Sequence, residues 1–200
     1  MSTSPSEAAT HNGDITLEDL AAALAEATGG EVALAFGTAK IKVPAEKWVQ
    51  ALTTARDRFG LVFFSWLSAV DWSNQVAVGD PLTEEVAERY EVIAAVADLS
   101  VGHIVLFTTE VPKDNPRLAS LVEVYAGANW HEREAHEMFG IDFTGHPNLV
   151  KLYLPDGFEG YPLRKSFALL TREVKPWPGK VDVEGMPGSA DEPSEENPDS

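Results

Sequence analysis

One stretch constrains this chain more than any other: residues 130–167, WHEREAHEMFGIDFTGHPNLVKLYLPDGFEGYPLRKSF. It opens with dense charge on an expected helix, Glu132-Arg133-Glu134 and then His136-Glu137, which Gly140 stops. Beyond Gly140 the aromatics are punctuated by Pro and Gly and keep no helical period. A ribbon of this kind has no hydrogen-bond ladder of its own and no second apolar layer, so it is expected to lie against another surface. Structureless segments of about 40 residues are uncommon inside compact domains. The pattern points to a subunit rather than to a free-standing enzyme.

Composition narrows the chemistry. The 200 residues are 44% apolar, enough for one domain with a proper core. There is no cysteine, which removes disulfides, thiolate zinc sites, cysteine-ligated iron–sulfur clusters and a cysteine nucleophile together. Net charge is −17, and with the seven acids of residues 181–200 set aside the remainder still carries −10. A surface this acidic repels phosphate backbones and anionic headgroups, so neither nucleic acid nor direct lipid binding is expected. The opening MSTSPSEAATHNGD lacks a basic n-region and an apolar core, so no secretory signal is expected. No window reaches the ~20 apolar residues of a membrane helix.

Local signals place the elements. Thr16 with Asp19 reads as an N-cap, Ile15 can staple to Leu20, and Leu17, Leu20 and Leu24 share a face until Gly29-Gly30. Residues 32–36 and 39–43 flank a Gly37-Thr38 link that suits a tight hairpin with glycine first. Lys40 and Lys42 alternate with Ile41 and Val43, leaving one strand face wet. Pro44 opens and Gly60 closes a second helix whose apolar stripe is Trp48, Leu52, Ala55 and Phe59. A long central strand over 61–72, an acidic loop over 73–87, and strands over 89–99 and 103–110 follow. Asn115-Pro116 predicts a helix to about Tyr125, and Asn129 caps another over 130–139. Helices segregated from hairpin-linked strands give an α+β, two-layer fold with two following helices and a long extended C-terminal ribbon. The expected divisions are a disordered 1–14, an α/β domain over 15–140, a partner-docking segment over 141–180 and a disordered acidic tail over 181–200.

Catalytic readings fare poorly. His131 and His136 are five apart, about 140° around a helix, whereas a zinc-protease helix needs spacing four, about 40°. Glu134 and Glu137 are neighbours at i, i+3 and crowding raises one carboxyl, yet Arg133 lies four before Glu137 and can neutralise it. Mixed charge of this type is usually a solvated or interface face. No phosphate-binding glycine loop and no nucleophile elbow is present. Gly145-His146-Pro147 and the run Gly160-Tyr161-Pro162-Leu163-Arg164-Lys165 instead place extended backbone beside Tyr and Arg, favoured interface anchors.

Those blocks, Glu132-Arg133-Glu134-x-x-Glu137-Met138-Phe139-Gly140-Ile141, Phe143-x-Gly145-His146-Pro147-x-Leu149, Leu154-Pro155-Asp156 and Gly160-x-Pro162-Leu163-Arg164-Lys165, closely resemble the signature of the 30-kDa or C subunit of proton-pumping NADH:quinone oxidoreductase, respiratory complex I. The likeness extends over residues 16–175, where the order of elements resembles the family's α-β2-α-β3 domain. Departures are single positions: Val150 before Lys151 where the family carries two adjacent basic residues, Ser166 after Arg164-Lys165, and His136 at a position often aromatic. The resemblance implies a non-catalytic chain holding no flavin, iron–sulfur cluster or quinone ligand. It implies a place on the cytoplasmic, peripheral arm of a membrane enzyme, held by partner subunits, chiefly the large one that lines the quinone pocket. Glu132, Arg133 and Glu134 would lock helix to ribbon or partner, with His146, Tyr161, Arg164 and Lys165 as anchors. The end at Ser200 leads us to expect no fusion with the quinone-site subunit. Other readings are the equivalent subunit of a related membrane-bound hydrogenase or deazaflavin-dependent dehydrogenase, a metal-dependent hydrolase, or a module whose acidic tail recruits a basic protein.

Overall fold

The computed structural model describes residues 15–77, 80 and 82–168. The expectations for 1–14, 169–180 and 181–200 lie outside them. Three helices and a five-stranded sheet build the body. In order they are α1 (Leu17–Thr28), β1 (Glu31–Ala35), β2 (Thr38–Lys42), α2 (Trp48–Phe59, after a 3-10 turn Ala45–Lys47), β3 (Phe63–Trp72), β4 (Arg89–Asp98), β5 (His103–Val111), β6 (Arg117–Ala119), α3 (Ala128–Phe139) and β7 (Asp142–Thr144). The sheet runs β1-β2-β5-β4-β3, with β2 and β5 parallel and every other neighbour antiparallel. The α+β reading holds.

The caps behave as their chemistry requires. The Thr16 hydroxyl accepts the Asp19 N–H at 3.1 Å and donates to the Asp19 carboxylate at 2.8 Å. α1 buries Leu20 and Leu24 while Ile15 and Leu17 pack at the rim of the core. α2 turns Trp48, Leu52 and Ala55 inward with no exposed surface, and Phe59 packs beside them. These meet Ile41, Val92, Ala94, Val96 and Phe107 on one sheet face. α3 closes the same face over β3.

Four local expectations need correcting. The hairpin link is Phe36-Gly37, not Gly37-Thr38: Ala35 pairs with Thr38, and Phe36 and Gly37 have φ 52° and 69°. Such a turn needs positive φ at both positions, so glycine takes the second place and Phe36 is held, fully exposed, in a conformation it disfavours. The strand expected at 61–72 begins at Phe63 and forms the sheet's edge, because β4 pairs with β5 on its other side. The helix expected at 115–125 does not form. Residues 117–119 pair with β7, and the Glu132 carboxylate accepts the Leu121 N–H at 2.6 Å, so backbone groups find long-range partners that outcompete a local helix. Asn129 is not a cap either; α3 starts at Ala128 from Gly127 with no side-chain cap.

Candidate partner-docking segment

α3 is the post to which the ribbon is tied. Its buried side is peculiar, since Glu132 and Glu137 are inward-facing at 0% and 4% exposure. Each carboxylate has a distinct occupation. Glu132 accepts the Ser120 hydroxyl at 2.5 Å and the Leu121 N–H at 2.6 Å, organising the turn after β6. Burial without a neighbouring cation pushes its carboxyl up to about 7. Glu137 accepts three successive backbone N–H groups of the ribbon, from Leu152 at 2.8 Å, Tyr153 at 2.9 Å and Leu154 at 2.6 Å. Burial alone would raise it, but those donors and nearby Lys151 hold it below the ordinary carboxylate value.

Arg133 does not neutralise Glu137, contrary to the i, i+4 expectation. Its guanidinium donates to the carbonyls of Val150 (3.0 Å) and Lys151 (3.1 Å) while lying 5.2 Å from the Trp130 ring centroid. Glu134 accepts the Tyr153 hydroxyl at 3.4 Å. His146 donates from Nε2 to the Asn129 carbonyl at 3.1 Å and accepts the Asn148 N–H on Nδ1 at 3.0 Å, a pair that selects the Nε2–H tautomer. Gly145 precedes it at φ 87°, and Pro147 is exposed.

The ribbon's far end returns to the post. Arg164 donates to the Phe139 carbonyl at 2.7 Å and stacks its guanidinium 4.0 Å from the Tyr161 ring centroid. Gly140, the left-handed stop of α3, has no room for a β-carbon, because that position is occupied by Tyr161 and Arg164. The Lys165 N–H reaches Asp71 at 2.9 Å, and the Lys165 carbonyl accepts the Ala77 N–H at 2.7 Å. Pro162, half-buried, lies between these ties. The ribbon is therefore not without support of its own, as its irregular sequence suggested. It is fastened to the body through carboxylates and carbonyls rather than through a ladder.

Sequence reasoning missed Asp71, Tyr90 and Lys113. Asp71 also accepts the Ser73 hydroxyl (2.7 Å) and the Lys113 ammonium (2.8 Å), and these offset the upward push of burial so that its carboxyl sits below its ordinary value. Both Lys113 and Arg164 lie over the Tyr90 ring, at 5.4 and 5.6 Å. A signal existed: Asp71 occupies the core-facing period of β3, opposite Tyr90, where an acid needs a partner.

The charged groups point at backbone amides and carbonyls, and a cavity of 330 Å³ is lined by none of the signature residues. The His131 ring packs 5.8 Å from Phe64 while His136 Nδ1 bonds the Ile141 carbonyl at 2.8 Å, so the two imidazoles serve different contacts. Among the described residues no cluster of three or more His, Asp or Glu is placed to hold a metal ion, and no helix is long and apolar enough to cross a membrane.

The family described as respiratory-chain NADH dehydrogenase, 30 Kd subunit, matches residues 41–173. The C subunit of NADH-quinone oxidoreductase from Bordetella petrii is 36% identical over 163 residues, covering 76% of this chain and 78% of its own length. Among solved structures, a trypsin-resistant fragment of Nqo5 shares the fold at TM-score 0.54 and 24% identity, over 68% of this chain and 100% of the fragment. A chain of the membrane-bound sulfane sulfur reductase, an archaeal respiratory membrane complex, does so at TM-score 0.62 and 22% identity, over 76% and 86%. This chain belongs to the 30-kDa subunit family of the respiratory-chain NADH dehydrogenase, the family that holds the C subunits of NADH-quinone oxidoreductases.

Proposed function

We propose that the chain is a non-catalytic scaffold subunit of the peripheral arm of a proton-translocating NADH:quinone oxidoreductase. It holds no flavin, cluster or quinone itself and supports electron transfer by fixing its neighbours, chiefly the large quinone-site subunit, at the cytoplasmic face of the membrane. One observation carries this reading: the signature residues tie the ribbon to the body by its backbone, and the apolar side chains beside those ties stay outside. Trp130 and Tyr153 are each 60% exposed and Leu163 is 51% exposed. A strip fixed by its backbone and left apolar outside is a preformed docking surface, with the ordering entropy already accounted for before binding.

A native pull-down from solubilised membranes tests it. We expect the quinone-site subunit and NADH:quinone activity to co-purify with the chain. Recovery of the chain alone, as a monomer free of other subunits, overturns it. The fold likeness to the archaeal respiratory complex favours one second reading, the equivalent subunit of a related membrane-bound enzyme. The electron donor that drives the recovered complex separates the two.

A further inference from the structure

The sheet ends in two edges, β1 and β3, and they differ. The register of β3 shifts between Phe64 and Trp66, an irregularity that turns incoming strands away. β1 has no such protection. Its register with β2 is unbroken from Glu31 to Ala35, its sequence contains no Pro or Lys, and all five of its residues are exposed. In a hairpin closed by Ala35 and Thr38 across two residues, Glu31, Ala33 and Ala35 exchange bonds with β2, so the N–H and C=O groups of Val32 and Leu34 point outward. Among the described residues nothing bonds those groups. The side chains of the same two residues stand opposite Ile41 and Ala39, which are fully buried, yet Val32 and Leu34 are 39% and 48% exposed. The apolar layer beneath α1 therefore runs on to β1 and stops there uncovered.

We propose that the outer edge of β1 accepts an extended, basic segment of a neighbouring subunit as a sixth strand, bonded to Val32 and Leu34. The inference rests on the functional reading above. A row of outward backbone donors and acceptors is met by another extended backbone, and charge selects which one. Residues 17–35, which make α1 and β1, carry four acids and no Lys or Arg. Glu18, Glu26 and Glu31 are exposed and form no ion pair among the described residues. The nearest lysines are engaged elsewhere: Lys40 and Lys42 pair with Glu91 and Glu110, and Lys47 sits against Gly29 at the end of α1. A second copy of this chain would set the same acids against themselves. Residues 1–14 hold Glu7 and Asp14 and no Lys or Arg, and residues 181–200 hold seven acids. Residues 169–180 do hold cations, but Lys165 is tied to Asp71 on β3, four strand spacings or about 19 Å from β1. Crossing that distance takes about six residues. What is left carries Pro176 and Pro178, each without an N–H for a ladder.

The test uses the whole complex purified from membranes. Amide exchange at Val32 and Leu34 should be slower by about tenfold or more in the complex than in the isolated chain; unchanged exchange at both overturns the proposal. A photo-reactive analogue at Leu34 should cross-link to another subunit within three residues of a Lys or Arg. Leu34→Pro deletes one outward N–H and leaves the bonds to β2 in place, so it should abolish the protection at Val32 in the complex, whereas Leu34→Thr, which keeps the N–H, should retain it. If Leu34→Pro lowers the thermal midpoint of the isolated chain, exchange and cross-linking decide. Cross-linking to lipid, to a second copy, to residues 1–14 or 169–200, to a segment without Lys or Arg, or to nothing overturns the proposal while the functional reading stands. A chain never recovered with other subunits overturns both.

Discussion

The body and the ribbon are held by different physics. In the body, Trp48, Leu52, Ile41 and Phe107 have no exposed surface, and burial of apolar area does the holding. Along 145–168 few side chains are buried, and the segment is held by Glu137, Arg133, His146, Arg164 and Asp71 reaching backbone groups. Apolar burial is non-directional and scales roughly with the area removed from water. Carboxylate-to-amide ties are directional, few and dependent on charge state. The body should therefore fail all at once, and the ribbon one tie at a time.

The sharpest way to break this contrast is Phe107→Ala. It should cost about 3–5 kcal/mol and lower the chemical-denaturation midpoint of the body and the ribbon together. A body whose parts lose protection one after another in that variant would contradict the contrast.

Glu132 tests the boundary, because it is a carboxylate buried in the body. Its carboxyl is raised from 4.5 to about 7, so between those values the folded chain keeps a proton that the unfolded chain releases. Stability contributed by the protonated form is complete below the lower value and is lost as pH rises through the upper one, by up to about 3 kcal/mol. Glu132→Gln retains an acceptor for Leu121 and a group for Ser120, so it should flatten this dependence and unfold later than the parent chain at about pH 8. Urea midpoints on either side of neutrality measure it.

Glu137→Ala comes next. It should release the amides of Leu152, Tyr153 and Leu154 to rapid hydrogen exchange, a local loss of about 1–3 kcal/mol, with the thermal midpoint of the body almost unmoved. The sign of the pH effect is opposite to that of Glu132. Glu137 and Asp71 both lie below their ordinary values, so their contribution is present above the ordinary carboxylate range and disappears as pH falls through the lowered ones. Acid should therefore loosen the ribbon before the body. Arg133→Ala is expected to have the smallest effect on the isolated chain, about 0–1 kcal/mol, since its two carbonyl partners are exposed. A larger loss in assembled complex than in the isolated chain would give Arg133 a role toward a partner in addition to the ties within the chain.

Much of the body was legible in advance because the signals are local. The Thr16 cap, the stripe of α2 and the glycine stops report on hydrogen bonds within one turn. The false helix at 115–125 shows the limit of the same logic. Asn115-Pro116 is a sound local start, but the amides downstream answer to Glu132 and to β7, both later in the chain. Arg133 failed for a related reason. Spacing on a helix identified Glu137 as reachable and was silent about three ribbon amides that claim it first.

The amino-acid order alone determined that there would be one acidic α+β body without cysteine chemistry, a stopped helix at Gly140 and an irregular ribbon beyond it, because period, composition and caps act over a few residues. Only the tertiary structure decided that the ribbon fastens to α3 and to Asp71 and that β3 is an edge. The ribbon's ties depend on which groups separated by 15 to 94 residues meet, and no local preference encodes such meetings.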